Sequence, residues 1–198
     1  PAGYTFVKAY DDPTTGFEGN LFKQSDGPAY VLAFDGTNPD QPGGDLDMQD
    51  NGRIVSGQSP LQAESAWAAS RDARAIAGDG APMYYTGQSL GGRLAAEVAL
   101  RDTTEAHSVT FNAPGTSRFQ DPDAQAADGR TDNITNVVVQ DDPIAAFGKH
   151  SGQTVVVRPS GEELLQTHED WDGMANGEVI GSEPSSQQRF QANVVDKV

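Results

Sequence analysis

The chain has 198 residues, of which 36% are hydrophobic and 21% charged, enough for one core and one domain over residues 1–198. Acidic residues outnumber basic ones 29 to 13, and the formal net charge of −16 repels a phosphate backbone, which argues against a nucleic-acid partner. The absence of cysteine excludes disulfides, thiolate zinc sites and cysteine nucleophiles, and no apolar run approaches the ~20 residues that span a bilayer. The acidic excess suits a hydrated surface kept soluble at high salt. The sequence begins at Pro1 without a leader, and the expectation is a domain excised from a longer protein that is secreted or extracellular.

Leu21-Phe22-Lys23 and Tyr30-Val31-Leu32-Ala33-Phe34 read as strands joined by a Ser25-Asp26-Gly27 turn, the second apolar throughout and so buried on both faces. Residues 38–60 are rich in Gly, Pro, Asp, Asn and Gln, which predicts a long loop. Residues 61–77 return to helical order, with Ala66, Ala69, Ala73, Ile76 and Ala77 on one face, and Gly78-Asp79-Gly80 stops the helix. A strand at 83–86, a glycine-flanked turn at 87–92 and a helix with Gly91, Leu94, Ala95 and Val98 on one face come next. Further strands are expected at 108–111, 136–140 and 154–158. Strand and helix alternating in this way predict an α/β fold with a largely parallel central sheet, whose chemistry gathers at the carboxyl ends of the strands. Trp67 and Trp171 are expected in the core or a pocket wall. Residues 185–198, with Phe190, Val194 and Val198 in helical register, are expected to pack on the body or lead to a further segment.

Gly87-Gln88-Ser89-Leu90-Gly91 fits G-x-S-x-G, in which serine occupies a strained turn and small flanking residues let strand and helix approach closely. Chance alone supplies roughly 0.16 such matches in a chain of this composition. Its setting between an apolar strand and an amphipathic helix raises it to a candidate nucleophile elbow. Gly57-Gln58-Ser59-Pro60 repeats the first three letters without that setting, so Ser59 is a decoy.

A serine hydroxyl needs an adjacent base, itself oriented by a third group. In α/β hydrolases the order is Ser, then acid, then His. Of the three histidines, His107 comes too soon to leave an acid on a later strand end. His150 is eight residues beyond Asp142, and His168 is 26 beyond it with a strand between, the spacing of a separate loop returning to the site. Asp142 follows a strand and precedes Pro143, the place for the acid; Asp141 competes as its neighbour. Donors for a developing oxyanion are expected from the N–H of Leu90 and from Thr37, after the most apolar strand.

Four blocks, Tyr30-Val31-Leu32-Ala33-Phe34-Asp35-Gly36-Thr37, Gly87-Gln88-Ser89-Leu90-Gly91-Gly92, Val109-Thr110-Phe111-Asn112-Ala113-Pro114-Gly115 and Asp142-Pro143-Ile144, occur in an order that resembles the class 3 lipase family, an α/β-hydrolase group with bacterial lipase and phospholipase-like members. The resemblance covers about residues 28–172. It implies a single α/β-hydrolase domain, with Ser89 as nucleophile, Asp142 as acid, His168 as base, and Thr37 with Leu90 as the oxyanion hole. It favours Asp142 over Asp141 and makes His150 structural. It also implies a serine carboxylester hydrolase of lipase or phospholipase type, acting on a lipid or small ester. The family usually carries Arg where Asp35 stands and His where Gln88 stands. Many members have an amphipathic lid helix after the Gly-Thr strand, whereas residues 38–51 hold only Leu46 and Met48 as apolar side chains.

No cofactor is expected. Structural calcium is the one candidate ion, through Asp45, Asp47 and Asp50 or through Asp121, Asp123, Asp128 and Asp132, but neither set has the spacing of a calcium loop. The rival readings are a catalytically silent binding or effector module on the same fold, and a thioesterase or peptidase, since a triad does not choose its acyl group.

Overall fold

Glycine and aspartate punctuate the first two hairpins, and the strands between them build one edge of a single eight-stranded sheet. The computed structural model describes residues 3–37, 44–56, 58–104, 106–116, 131–160 and 164–183, with the backbone alone for 44, 45, 47, 48 and 164–166. Its strands are β1 (Tyr4–Asp12), β2 (Phe17–Gln24), β3 (Tyr30–Phe34), β4 (Met83–Gln88), β5 (His107–Phe111), β6 (Ile134–Val139), β7 (Gln153–Val157) and β8 (Val179–Glu183). They lie side by side in chain order. β3 to β7 are mutually parallel, and β1, β2 and β8 add antiparallel pairs at the two edges.

The parallel centre matches the alternation seen in the sequence. The N-terminal third reads as strand material without bounds for β1, and β8 was not foreseen, because an exposed edge strand has no buried face to impose a regular alternation; β1 is exposed at nearly every position.

Helices α2 (Ala63–Ala77) and α3 (Ser89–Arg101) cover one face of the sheet. There the period-two positions Leu32, Phe34, Met83, Tyr85 and Ile134 meet Ala66, Ala69 and Ala73 of α2 and Leu94, Ala95, Val98 and Ala99 of α3. Small alanines let the helix backbones come close. Each fully buried large side chain contributes about 1.5–3 kcal/mol. On the opposite face, α4 (Trp171–Asn176) seats Met174 against Val139 and Val157.

Helix α3 is buried on every side from Ser89 to Leu100, and so carries its charges inside. Arg93 and Glu97, one turn apart, pair there with Nη2 to Oε1 at 2.5 Å, both side chains 4% exposed. The Arg93 guanidinium also donates to the carbonyl of Gly115. This pins the helix behind the elbow to the segment after β5.

Two expectations are corrected. The loop predicted over 38–60 contains helix α1 (Gly44–Val55). Asp50, fully buried, hid it: this carboxylate sits in the stripe between Leu46 and Ile54 and accepts from the N–H groups of Leu61 (2.5 Å) and Gln62 (3.1 Å), at the start of α2. A charged residue in an apolar stripe breaks the periodicity by which a helix is read. Trp67 does pack on the core, but Trp171 is 59% exposed at the first turn of α4. Residues 185–198 lie outside the described residues.

Candidate active site

Strand β4 ends at Gln88 and α3 begins at Ser89, whose φ of +55° lies in the left-handed region that a non-glycine residue rarely occupies. The surrounding glycines explain how the chain tolerates so sharp a turn. A Cβ on Gly91 would collide with the carbonyl oxygen of Phe34, one on Gly87 with the backbone of Gly91, and one on Gly92 would sit 2.7 Å from the Cβ of Ala113. The G-x-S-x-G spacing is thus a packing requirement of β3, β4 and β5 converging on the first turn of α3.

The turn aims Ser89 at a histidine 79 residues away in sequence: Ser89 Oγ lies 2.8 Å from His168 Nε2. His168 ends a short 3₁₀ turn (Leu164–Glu169), and its side chain is 21% exposed, reachable from solvent. Its Nδ1 lies 3.0 Å from Asp142 Oδ2. Asp142 is fully buried, and its other oxygen accepts from the N–H of Ala145 at 2.6 Å. The turn after β6 and the orientation of a carboxylate toward the imidazole are therefore served by one residue. Asp141 is spent on the turn itself, with φ +67°.

The remaining histidines stand elsewhere. His150 is buried, with Nε2 2.8 Å from the carbonyl of Ala113. Burial in the protein interior pushes its imidazole below the ordinary value, Arg93 adds to this, and the Ala113 carbonyl and Asp142 oppose it. His107 is exposed at the other end of the sheet, stacked on Tyr84. The carbonyl of Ser59 accepts from Arg53 Nε at 2.8 Å, beside α1.

The loop after β3 crosses directly over the elbow. A Cβ on Gly36 would lie 3.0 Å from the carbonyl oxygen of Gln88 and 3.7 Å from Ser89 Cβ. Thr37 follows, its Oγ1 3.0 Å from Asn51 Nδ2 of α1, so the helix missed in the sequence holds the tip of this loop. Leu90, next to Ser89, is buried in the first turn of α3. Local desolvation raises the carboxyl of Asp35 from its ordinary value although the residue is exposed, against a smaller opposing hydrogen bond with Glu18. Thr37, Leu90, Ser89, Asp142 and His168 thus converge at the carboxyl ends of β3, β4 and β6.

Sequence reasoning missed Asn112 and the contacts of Gln88. Asn112, fully buried with φ +43°, sends its amide nitrogen to the carbonyls of Thr167 (2.7 Å) and His168 (3.1 Å). Gln88 Nε2 donates to the same His168 carbonyl at 2.8 Å. The available signal was an asparagine at a strand end, the residue type that best tolerates the left-handed region after glycine.

Among the described residues no group of three or more His, Asp or Glu is placed to hold a metal ion. Asp121, Asp123 and Asp128 and the side chains of Asp45 and Asp47 lie outside the described residues; Asp50 is committed to α2 and Asp132 sits in a 3₁₀ turn before β6. No described helix is long and apolar enough to cross a membrane.

The family model for the Tle-like phospholipase domain matches residues 5–176, a span that holds every element of this site. The chain belongs to that family. As a Tle-like phospholipase domain it is similar to the extracellular phospholipase A1 of Serratia liquefaciens, 36% identical over 141 residues, which cover 68% of this chain and 41% of that protein. The chain thus spans about two fifths of the length of this curated relative. Among solved structures the domain is similar to the Lip2 lipase of Yarrowia lipolytica, with a TM-score of 0.59, 12% identity, and coverage of 98% of this chain and 78% of that one. The Rhizomucor miehei lipase propeptide complex gives 0.57, 15%, 98% and 67%. At such identities the likeness fixes the α/β-hydrolase fold of the class 3 lipases.

Proposed function

We propose that the protein is a serine carboxylester hydrolase of phospholipase or lipase type, acting on acyl esters of lipids. The observation that carries this is the unbroken chain from Asp142 through His168 to Ser89, at 3.0 and 2.8 Å, ending on a serine held at φ +55°. Membership of a phospholipase family and the name of the Serratia relative support a lipid ester as the substrate class. That relative's extracellular name also supports a secreted site of action.

Ser89 Oγ attacks the ester carbonyl carbon while its proton passes to His168 Nε2. The N–H of Leu90 and Thr37 receive the oxygen that becomes anionic, each donor worth roughly 3 kcal/mol of barrier. Asp142 fixes the imidazole by its Nδ1–H and stabilises the imidazolium. The tetrahedral adduct collapses, the leaving alcohol takes the proton from His168, and an acyl-Ser89 ester remains. Water, deprotonated by His168, attacks that ester; the fatty acid leaves and Ser89 recovers its proton. No step uses a cofactor or metal, so chelation is expected to leave turnover unchanged.

A chain-length series of esters and a diacyl phospholipid, with thioester and amide controls, given to the protein and to Ser89→Ala, tests the reading. Ser89-dependent oxyester cleavage is expected. Thioester or amide turnover in its place moves the assignment to those classes, and no turnover on any substrate favours a silent binding module. With a net charge of −16, the rate on anionic vesicles should rise as salt screens repulsion over about 10 Å at 0.1 M; a steady fall would contradict this.

A further inference from the structure

The base of a triad is only as good as the position of its main chain, and His168 sits on a short 3₁₀ turn outside the sheet. The last carbonyls of such a turn are left short of partners within it; that of Thr167 accepts a long bond from the N–H of Asp170, at 3.4 Å. Here they are taken by side chains from two neighbouring parallel strands. Both acceptor sites of the His168 carbonyl are filled, by Gln88 Nε2 at 2.8 Å from the end of β4 and by Asn112 Nδ2 at 3.1 Å from the end of β5. Asn112 Nδ2 also donates to the Thr167 carbonyl at 2.7 Å, and Asn112 Oδ1 accepts the N–H of Val139 at 2.8 Å, three residues before Asp142. One buried amide therefore joins the strand of the acid to the turn of the base. The Gln88 amide, oriented by the carbonyl it donates to, also brings its nitrogen within 3.2 Å of His168 Nε2.

We propose that Asn112 and Gln88 are positioning residues, an amide clamp that holds the backbone of His168 so that its ring bridges Asp142 and Ser89. The proposal rests on the hydrolase reading of those three residues. The φ of +43° at Asn112 gives a way to separate clamp from fold. Glycine adopts that angle freely, so Asn112→Gly keeps the bend after β5 and removes only the amide. Asn112→Asp keeps the acceptor for Val139 and turns an oxygen toward two carbonyl oxygens. Gln88→Met keeps length without a donor, and Gln88→His restores a ring N–H, the residue type the class 3 family usually has there.

The test measures kcat and KM of these variants on a short-chain ester, per active site titrated with an organophosphonate, alongside thermal melts. Displacing a catalytic group by 1 Å costs about 10²-fold. Asn112→Gly is expected to lower kcat by about 10²-fold and Asn112→Asp by more, Gln88→Met by about tenfold, with KM unchanged and Gln88→His close to wild type. A wild-type kcat per titrated site in Asn112→Gly overturns the clamp, leaving Asn112 a role in folding alone. If Asn112→Gly does not fold, Gln88→Met decides in its place, and a wild-type kcat there overturns the clamp equally. Absence of Ser89-dependent turnover in the wild-type protein is a different result, the failure of the hydrolase reading itself.

Discussion

His150 and His168 both lie beside Asp142, and nothing in their side chains distinguishes them. His168 places one ring nitrogen on the acid and the other on Ser89, with a fifth of its surface open to solvent. His150 gives one nitrogen to the Ala113 carbonyl inside the wall of the site, where burial favours its neutral form. The pair teaches that a histidine's task is set by what its second nitrogen meets and by access to solvent and a reacting hydroxyl.

The comparison makes opposite predictions for the two residues. The largest effect is expected from His168→Ala, which should lower kcat by about 10⁴-fold or more while leaving the urea midpoint nearly unchanged; a loss of stability with activity retained would invert the comparison. Next comes the buried neighbour of His150. Arg93→Met strands Glu97 and should cost about 3–5 kcal/mol of stability, much of it recovered in the Arg93→Met/Glu97→Met double variant, as read from urea unfolding. His150→Leu leaves the Ala113 carbonyl without its partner, and should cost about 1–3 kcal/mol with kcat per titrated site within about twofold of wild type. The smallest effect is on pH dependence. Because the folded state holds His150 below its ordinary value, the unfolded chain binds more protons, so its stabilisation is full above about pH 6.5 and is lost as pH falls below it. Urea midpoints between pH 8 and 5.5 should therefore decline for the wild type and decline less for His150→Leu; identical slopes would show that burial of His150 does not matter.

The same two regions show what the sequence made legible. The elbow was readable because its turn demands residue types: only glycine fits where Gly91 meets Phe34 and where Gly87 meets Gly91. The parallel centre was readable from Val-rich strands alternating with an alanine-faced helix. Chain order and spacing pointed to His168, but choosing Asp142 over Asp141 took the resemblance, and the physical reason, a left-handed turn at Asp141 and a buried carboxylate at Asp142, is visible only in three dimensions. Helix α1 escaped because its buried face includes Asp50, a carboxylate that works as a cap for α2 and so reads as loop. Asn112 escaped because its partners, Thr167, His168 and Val139, are remote in sequence and all three bonds run to backbone atoms that no side-chain pattern records.

Reaction of the protein with a fluorophosphonate, followed by peptide mass mapping, tests the central claim most directly. The predicted result is one equivalent of phosphonate on Ser89, loss of ester and phospholipid turnover in step with labelling, and no labelling of Asp142→Asn at a comparable rate. A label on another residue, or full turnover with Ser89 modified, would contradict it.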